Sequence, residues 1–295
     1  MKTSIRGKIK ERFFAALGFL GIVSSAKSHW MKWAAEVKRE HGKGNLAAAL
    51  EIANRCLNAR KPEHSLGYLA FLGNIGLVYS ESGQTDLAIK TKRHARELSQ
   101  SLFPAGHPEI VDAQLGLAVT YLFAGDATRA LPILIEAQRS TSADSFPKPE
   151  LALRVMRTLG AAHDMLGDLT QAVPIVKQAY AMALSQPMSA DELSLFQTEL
   201  GLVLIKEGLS EDAVGLLESA YAARTRGCPD GSYGVASAAH NLGWVNETLR
   251  RWSSAQQFYE IALQWRGAHL GESHPATTRS REGLDRSRAK TDCPQ

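Results

Sequence analysis

A large apolar residue followed at once by a small one recurs along the chain: Ile75-Gly76, Leu117-Ala118, Leu159-Gly160, Leu200-Gly201 and Leu242-Gly243. Seven residues after each small residue stands Gly83, Gly125, Gly167 or Gly208, with Arg250 in the last place. Gly44 opens this series, and the successive spacings are 39, 42, 42, 41 and 42 residues. Five residues beyond each of these positions comes an alanine (Ala49, Ala88, Ala130, Ala172, Ala213, Ala255). Seven residues further comes a second small residue (Cys56, Ala95, Ala137, Ala179, Ala220, Ala262). A large side chain beside a small one lets a helix insert a knob while its neighbour approaches closely. The recurring glycine supplies a left-handed cap between two helices. Periodicity of this length means stacked helix pairs. Tyr79 and Tyr121, four residues before the loop glycine, fill the end of each pair's interface, and His163 in the same column reads as a packing histidine.

These columns resemble the tetratricopeptide repeat over about residues 28–290, and the period near 42 resembles the long-repeat variety found in kinesin light chains and their bacterial relatives. His107-Pro108 and His274-Pro275 open first helices, where proline costs no hydrogen bond. Pro132 and Pro174 recur two residues after the second-helix alanine, as they do in that variety. The resemblance implies an all-α, right-handed superhelical solenoid of about six antiparallel helix pairs. A C-terminal capping helix completes it: Leu284 falls in the large slot, but Asp285 falls in the small one, where a buried carboxylate would be costly. A solvent-facing cap rich in Arg279, Arg281, Arg286, Arg288 and Lys290 answers that, and solenoids need one.

The net charge of +4 over 295 residues sits in residues 1–26, whose five cations outnumber the single acid, Glu11, by four. The rest of the chain is formally neutral and shows no electrostatic footprint for nucleic acid. The first 26 residues run from a basic start through an apolar stretch, Phe13 to Val23, to Ser24-Ser25-Ala26. Small residues there suit cleavage after Ala26, so residues 1–26 read as a signal peptide and the protein as exported. The alternative is an N-terminal hydrophobic helix that packs on the first repeat or lies on a membrane surface, with a cytoplasmic address. Residues 27–290 form the repeat domain and residues 291–295 a disordered tail. Cys56 reads as a core filler, while Cys228 and Cys293 could pair in an exported protein.

No nucleophile elbow, HExxH, Walker loop, dinucleotide glycine motif or metal-ligand spacing occurs, so the chain reads as non-catalytic, with neither metal nor cofactor. What remains is the concave face lined by the first helices. One column of it runs Leu77, Val119, Ala161, Leu202, Trp244, and three residues on it is joined by Ser80, Leu122, Asp164, Ile205 and Glu247. A column four residues upstream runs Gly73, Leu115, Arg157, Thr198, His240. An apolar stripe facing solvent marks a binding surface, unless curvature or the N-terminal segment buries it. Arg154 and Arg157, three residues apart on one helical face, either grip a ligand carboxylate or are neutralised by Asp164 and nearby acids.

The kinesin light chain resemblance implies groove asparagines that hold a peptide backbone. Asn74 and Asn241 match that column, while Gly116, Thr158 and Glu199 replace it in the middle repeats. The expectation is an interaction scaffold taking a protein or peptide ligand in its groove. An envelope assembly factor acting through its convex face or ends, or a peptide-sensing regulator, are the alternatives.

Overall fold

The computed structural model describes residues 29–42, 45–59, 64–142, 146–228 and 231–292. The expectations for segment 1–26, Gly44 and Cys293 lie outside the described residues. Among the described residues there are thirteen helices and no strand. Twelve of them form six consecutive pairs: α1 (His29–Gly42) and α2 (Leu46–Ala59), α3 (Leu66–Glu81) and α4 (Thr85–Leu102), α5 (Pro108–Phe123) and α6 (Ala127–Thr141), α7 (Pro149–Met165) and α8 (Leu169–Leu184), α9 (Ala190–Lys206) and α10 (Ser210–Gly227), α11 (Tyr233–Thr248) and α12 (Trp252–Leu270). The thirteenth, α13 (Pro275–Asp292), is the expected single helix at the end.

The sequence punctuates these helices with its own side chains. Ser65, Asp126, Asp168 and Ser232 each accept a hydrogen bond from the backbone amide three residues on, and Ser189 with Glu192 closes a reciprocal capping box. The two His-Pro pairs act as caps: His107 Nδ1 accepts from the Glu109 amide at 3.2 Å, and His274 Nδ1 from the Ala276 amide at 3.1 Å. Both rings therefore position a turn.

Between the helices of a pair, Gly83, Gly125, Gly167 and Gly208 hold φ of +75°, +77°, +75° and +86°. The amide that follows each glycine reaches back to the carbonyl of the column occupied by Tyr79, Tyr121, His163 and Leu204, at 2.8 to 2.9 Å. Such a bond satisfies an orphan carbonyl at the helix end. Arg250 does the same job with a Cβ, at φ +56°, and it is the one non-glycine with positive φ among the described residues. That conformation is strained for an L-residue. Arg250→Gly is therefore expected to raise stability by about 1 kcal/mol in urea or thermal melts; an unchanged midpoint would show that the turn carries no strain.

The chain divides into two compact units, Met1–Leu151 and Ala152–Gln295, with the boundary inside α7. In the first unit the alanine column (Ala49, Ala88, Ala130) and the second small column (Cys56, Ala95, Ala137) are buried. Burial also pushes the Cys56 thiol pKa up, in keeping with a core filler. The fully buried Trp30 of α1 packs against Tyr68 and Phe71 of α3 with ring centroids 4.7 and 4.9 Å apart.

In the second unit, Ala172, Ala213 and Ala255 are again fully buried. A Cβ added at Gly201 would lie 2.8 Å from a Leu217 carbon, and one at Gly243 would lie 2.7 Å from the Tyr259 ring. The knob-and-slot expectation holds here in atomic terms. The cap departs from the repeat frame: Leu284 is buried as expected, but Gly283 takes the small slot under Tyr259, while Asp285 is exposed. A two-residue slip spares the carboxylate from burial and gives the large ring a neighbour without a side chain.

Candidate functional site

The open flank of each first helix follows a three-four spacing, because its other sides pack on the second helix of its own pair and on neighbouring pairs. In the first unit this flank carries Ala70, Gly73, Asn74 and Leu77 on α3, and Asp112, Gly116 and Val119 on α5. Leu77 is exposed, and Val119 and Leu122 are half-buried. Leu115 is 1% exposed and lies in the core, so it lines no open surface. Asn74 does not face an open groove with its amide: Nδ2 donates to the Ala34 carbonyl at 2.8 Å and ties α3 to α1.

In the second unit the open flanks carry Arg154, Arg157 and Ala161 on α7, Leu195, Glu199 and Leu202 on α9, and Asn241 and Trp244 on α11. Thr198 and Ile205 are buried, at 9% and 5% exposure, and Thr198 Oγ1 donates to the Ser194 carbonyl at 2.7 Å. The columns containing Leu115, Thr198 and Ile205 flank the open stripe, and packing covers these three side chains. Leu195, 40% exposed, joins the stripe instead. It stands seven residues before Leu202, a spacing that would have marked it.

The polar groups on these flanks are wired between repeats. Arg157 pairs with Glu199 at 3.3 Å, and Asp164 accepts from Lys206 at 2.6 and 2.7 Å. Of the acids expected to neutralise Arg157, Asp164 is thus engaged by Lys206, and the nearby Glu199, which replaces the asparagine of its column, makes the pair. Burial raises the Glu199 carboxyl pKa, against the pull of Arg157. Both partners keep about a quarter of their side-chain surface open (27% and 26%). Arg154 is exposed. Beneath them Arg224 donates to Ser194 Oγ at 3.0 Å and to the Gly234 carbonyl at 3.2 Å.

The same rung recurs elsewhere, as His41 with Glu81, Arg96 with Glu136, Lys148 with Glu109, Arg251 with Glu211 and Arg286 with Glu247, each 39 to 40 residues apart. Acid and base one repeat apart was the signal in the sequence. His240 of α11 lies 3.2 Å from Ser280 Oγ of α13 and 5.3 Å from the Tyr259 ring, so it belongs to the cap junction more than to an open groove. Trp244, half-buried, packs its inner edge on the clusters around Leu242 and Tyr259 and leaves its outer edge on the stripe.

Among the described residues no cluster of histidine, cysteine and acidic side chains is placed to hold a metal ion, and no helix is long and apolar enough to cross a membrane. No curated protein matches the chain in sequence. Among solved structures, a Podosopora anserina protein assigned as a kinesin light chain, with nearly identical TPR-like repeats, is 19% identical, with 68% of this chain and 96% of that one covered and a TM-score of 0.55. NprR in complex with its cognate peptide NprX is 11% identical, over 98% of this chain and 94% of that one, with a TM-score of 0.63. A Rap protein complexed with Competence and Sporulation Factor is 15% identical, over 88% and 75%, with a TM-score of 0.60. At these identities the likeness is one of fold. Tetratricopeptide repeat models match residues 68–143, 109–185 and 235–276, more than half of the sequence. With its helix pairs, packing columns and capped turns laid out as above, the chain belongs to the tetratricopeptide repeat family.

Proposed function

We propose that this protein is a non-catalytic interaction scaffold that takes a peptide or an extended protein segment on the open flanks of its first helices. The observation that carries this reading is the apolar stripe: Leu195 is 40% exposed, with Leu202 and Trp244 half-buried beside it on adjacent helices of the second unit. Nothing in the fold requires these side chains to face outward, and apolar patches of this kind mark interaction surfaces. The Arg157 and Glu199 pair stands next to the stripe and offers both signs of charge to a peptide backbone or side chain. Support also comes from NprR, which shares the fold and was crystallised with its cognate peptide, and from a Rap protein of the same fold crystallised with Competence and Sporulation Factor.

The test is a crosslinked capture from the native cell, comparing the wild type with Arg157→Glu and Trp244→Ala. Each substitution is expected to reduce recovery of a direct partner at least tenfold while circular dichroism reports unchanged helix content. Partners retained by both variants would sink the groove reading and move the interaction to the outer face or the ends. Peptides from the tagged protein's own N-terminus, read in the same spectra, bear on export: a start at Lys27 places the work outside the cytoplasm.

A further inference from the structure

Arg224 of α10 and Arg266 of α12 stand 42 residues apart and make the same kind of strut. Arg224 donates to Ser194 Oγ on the first helix of its own pair and to the Gly234 carbonyl at the start of the next. Arg266 donates to Ser237 Oγ at 3.3 Å on its own first helix, and on α13 to the Ala276 carbonyl at 2.9 Å and Ser280 Oγ at 2.7 Å. Ser99, Thr141 and Ala183 fill the same column in earlier pairs and are buried there, so packing does not call for an arginine.

The two struts differ in their charge balance. Burial lowers the Arg224 pKa, and two acids of α9, Asp191 and Glu199, oppose it. The residues 42 positions on are Tyr233 and Asn241, so both acids give way to neutral side chains. Arg266 is nevertheless the more deeply buried, at 5% exposure, and every group it donates to is neutral. Its Nε is buried with no acceptor among the described residues. Burial lowers its pKa as well, and there Tyr233 opposes while the like charge of Arg279 adds to the cost. A buried cation without a counter-charge is expensive. The open flank of α11 leads to it: Tyr233, Ser237, Asn241 and Trp244 follow a three-four spacing, with Tyr233 exposed and Ser237 and Asn241 half-buried.

We propose that Arg266 binds an aspartate or glutamate side chain of a peptide seated on this flank, whose carboxylate takes the place that Asp191 and Glu199 fill around Arg224. The inference rests on the peptide-binding reading above and names the ligand class for the second unit. The carboxylate enters between Tyr233 and Asn241 and accepts from Arg266 Nη2 and Ser237 Oγ, which already lie within 3.3 Å of each other. Charge-assisted bonds of this kind are stronger than neutral ones. Trp244, three residues beyond Asn241 on the same flank, meets an apolar neighbour of the acidic residue.

The test is an array of pentapeptides with blocked termini, varied at the outer positions and carrying Glu, Gln or Lys at the centre, probed with the labelled full chain. Central Glu is expected to bind at least tenfold more strongly than central Gln or Lys. Arg266→Met keeps the stem, removes the charge and should abolish that preference, with the urea midpoint unchanged or raised. Asn241→Glu puts back the acid that Arg224 has, so it should also abolish the preference, and it should raise the midpoint. No preference for Glu in the wild type overturns the assignment. A preference that survives either substitution overturns it too, and a lower midpoint in Arg266→Met alongside would make the arginine a strut only. Binding indifferent to both and lost in Trp244→Ala overturns the assignment and leaves the scaffold reading intact. A preference that needs Arg266 and ignores Trp244 supports the assignment and counts against the apolar stripe.

Discussion

Replacing Tyr259 by alanine is expected to cost 3 to 5 kcal/mol, roughly the range for emptying a buried aromatic site. The ring is 1% exposed, lies between Gly243 of α11 and Gly283 of α13, and is the largest member of a cluster that otherwise includes Ala255 and Leu284. Neither glycine has a side chain to move into the vacated space, so collapse is limited. The hydroxyl donates to Glu247 at 2.6 Å, and Glu247 in turn accepts from Arg286 at 2.7 and 3.1 Å. Tyr259 thus joins apolar and polar attachment of the cap helix in one residue. Tyr259→Phe keeps the ring and removes the hydroxyl, so it should cost only about 1 kcal/mol. Urea denaturation of the two variants separates packing from hydrogen bonding. Equal losses in both would show that the cap is held by the polar network.

Acid is expected to loosen the same junction through His240. Burial, followed by Arg266, Arg279 and Arg286, lowers its pKa to about 4, with Glu247 opposing. The unfolded chain has an ordinary imidazole, near 6.5, so it binds the proton more readily than the folded chain does. The folded pKa is depressed, and its contribution to stability is therefore complete above about pH 6.5 and is lost as pH falls toward 4. The full contribution is about 3 kcal/mol, most of which is gone by pH 4.5. His240→Gln retains a polar contact toward Ser280 and cannot titrate. Its unfolding free energy should fall less between pH 7.5 and 4.5 than that of the wild type, by about 2 kcal/mol. Identical pH slopes would mean that His240 titrates normally in the folded protein.

The repeat made the fold legible before any coordinate. Each column is a local instruction repeated along the chain: a glycine that closes one helix, an alanine that admits a neighbour, a large aliphatic residue that fills the gap. Because these rules act between residues close in sequence, their spacing alone predicted six helix pairs, the left-handed caps and the single helix at the end. The same columns did not determine which flank of each first helix stays open. Leu115, Thr198 and Ile205 occupy expected groove positions and are buried, while Leu195 was passed over and is exposed. Spacing places a residue on a helical face, and only packing against the neighbouring helices decides whether it is covered.

Charge pairing likewise waited for the tertiary structure. Arg157 was legible as a cation on the right face, but spacing did not show that it would pair with Glu199 while Lys206 takes Asp164. The cap shows the limit most clearly. Sequence determined that a helix ends the array and that a carboxylate should stay out of its core. Only the packed ring of Tyr259, which needs a glycine opposite, decided that Gly283 would take the slot and Asp285 would face water. Local periodicity specifies elements and their partners, because it repeats along the chain. The site depends on the roll and reach of individual side chains, which only close packing fixes.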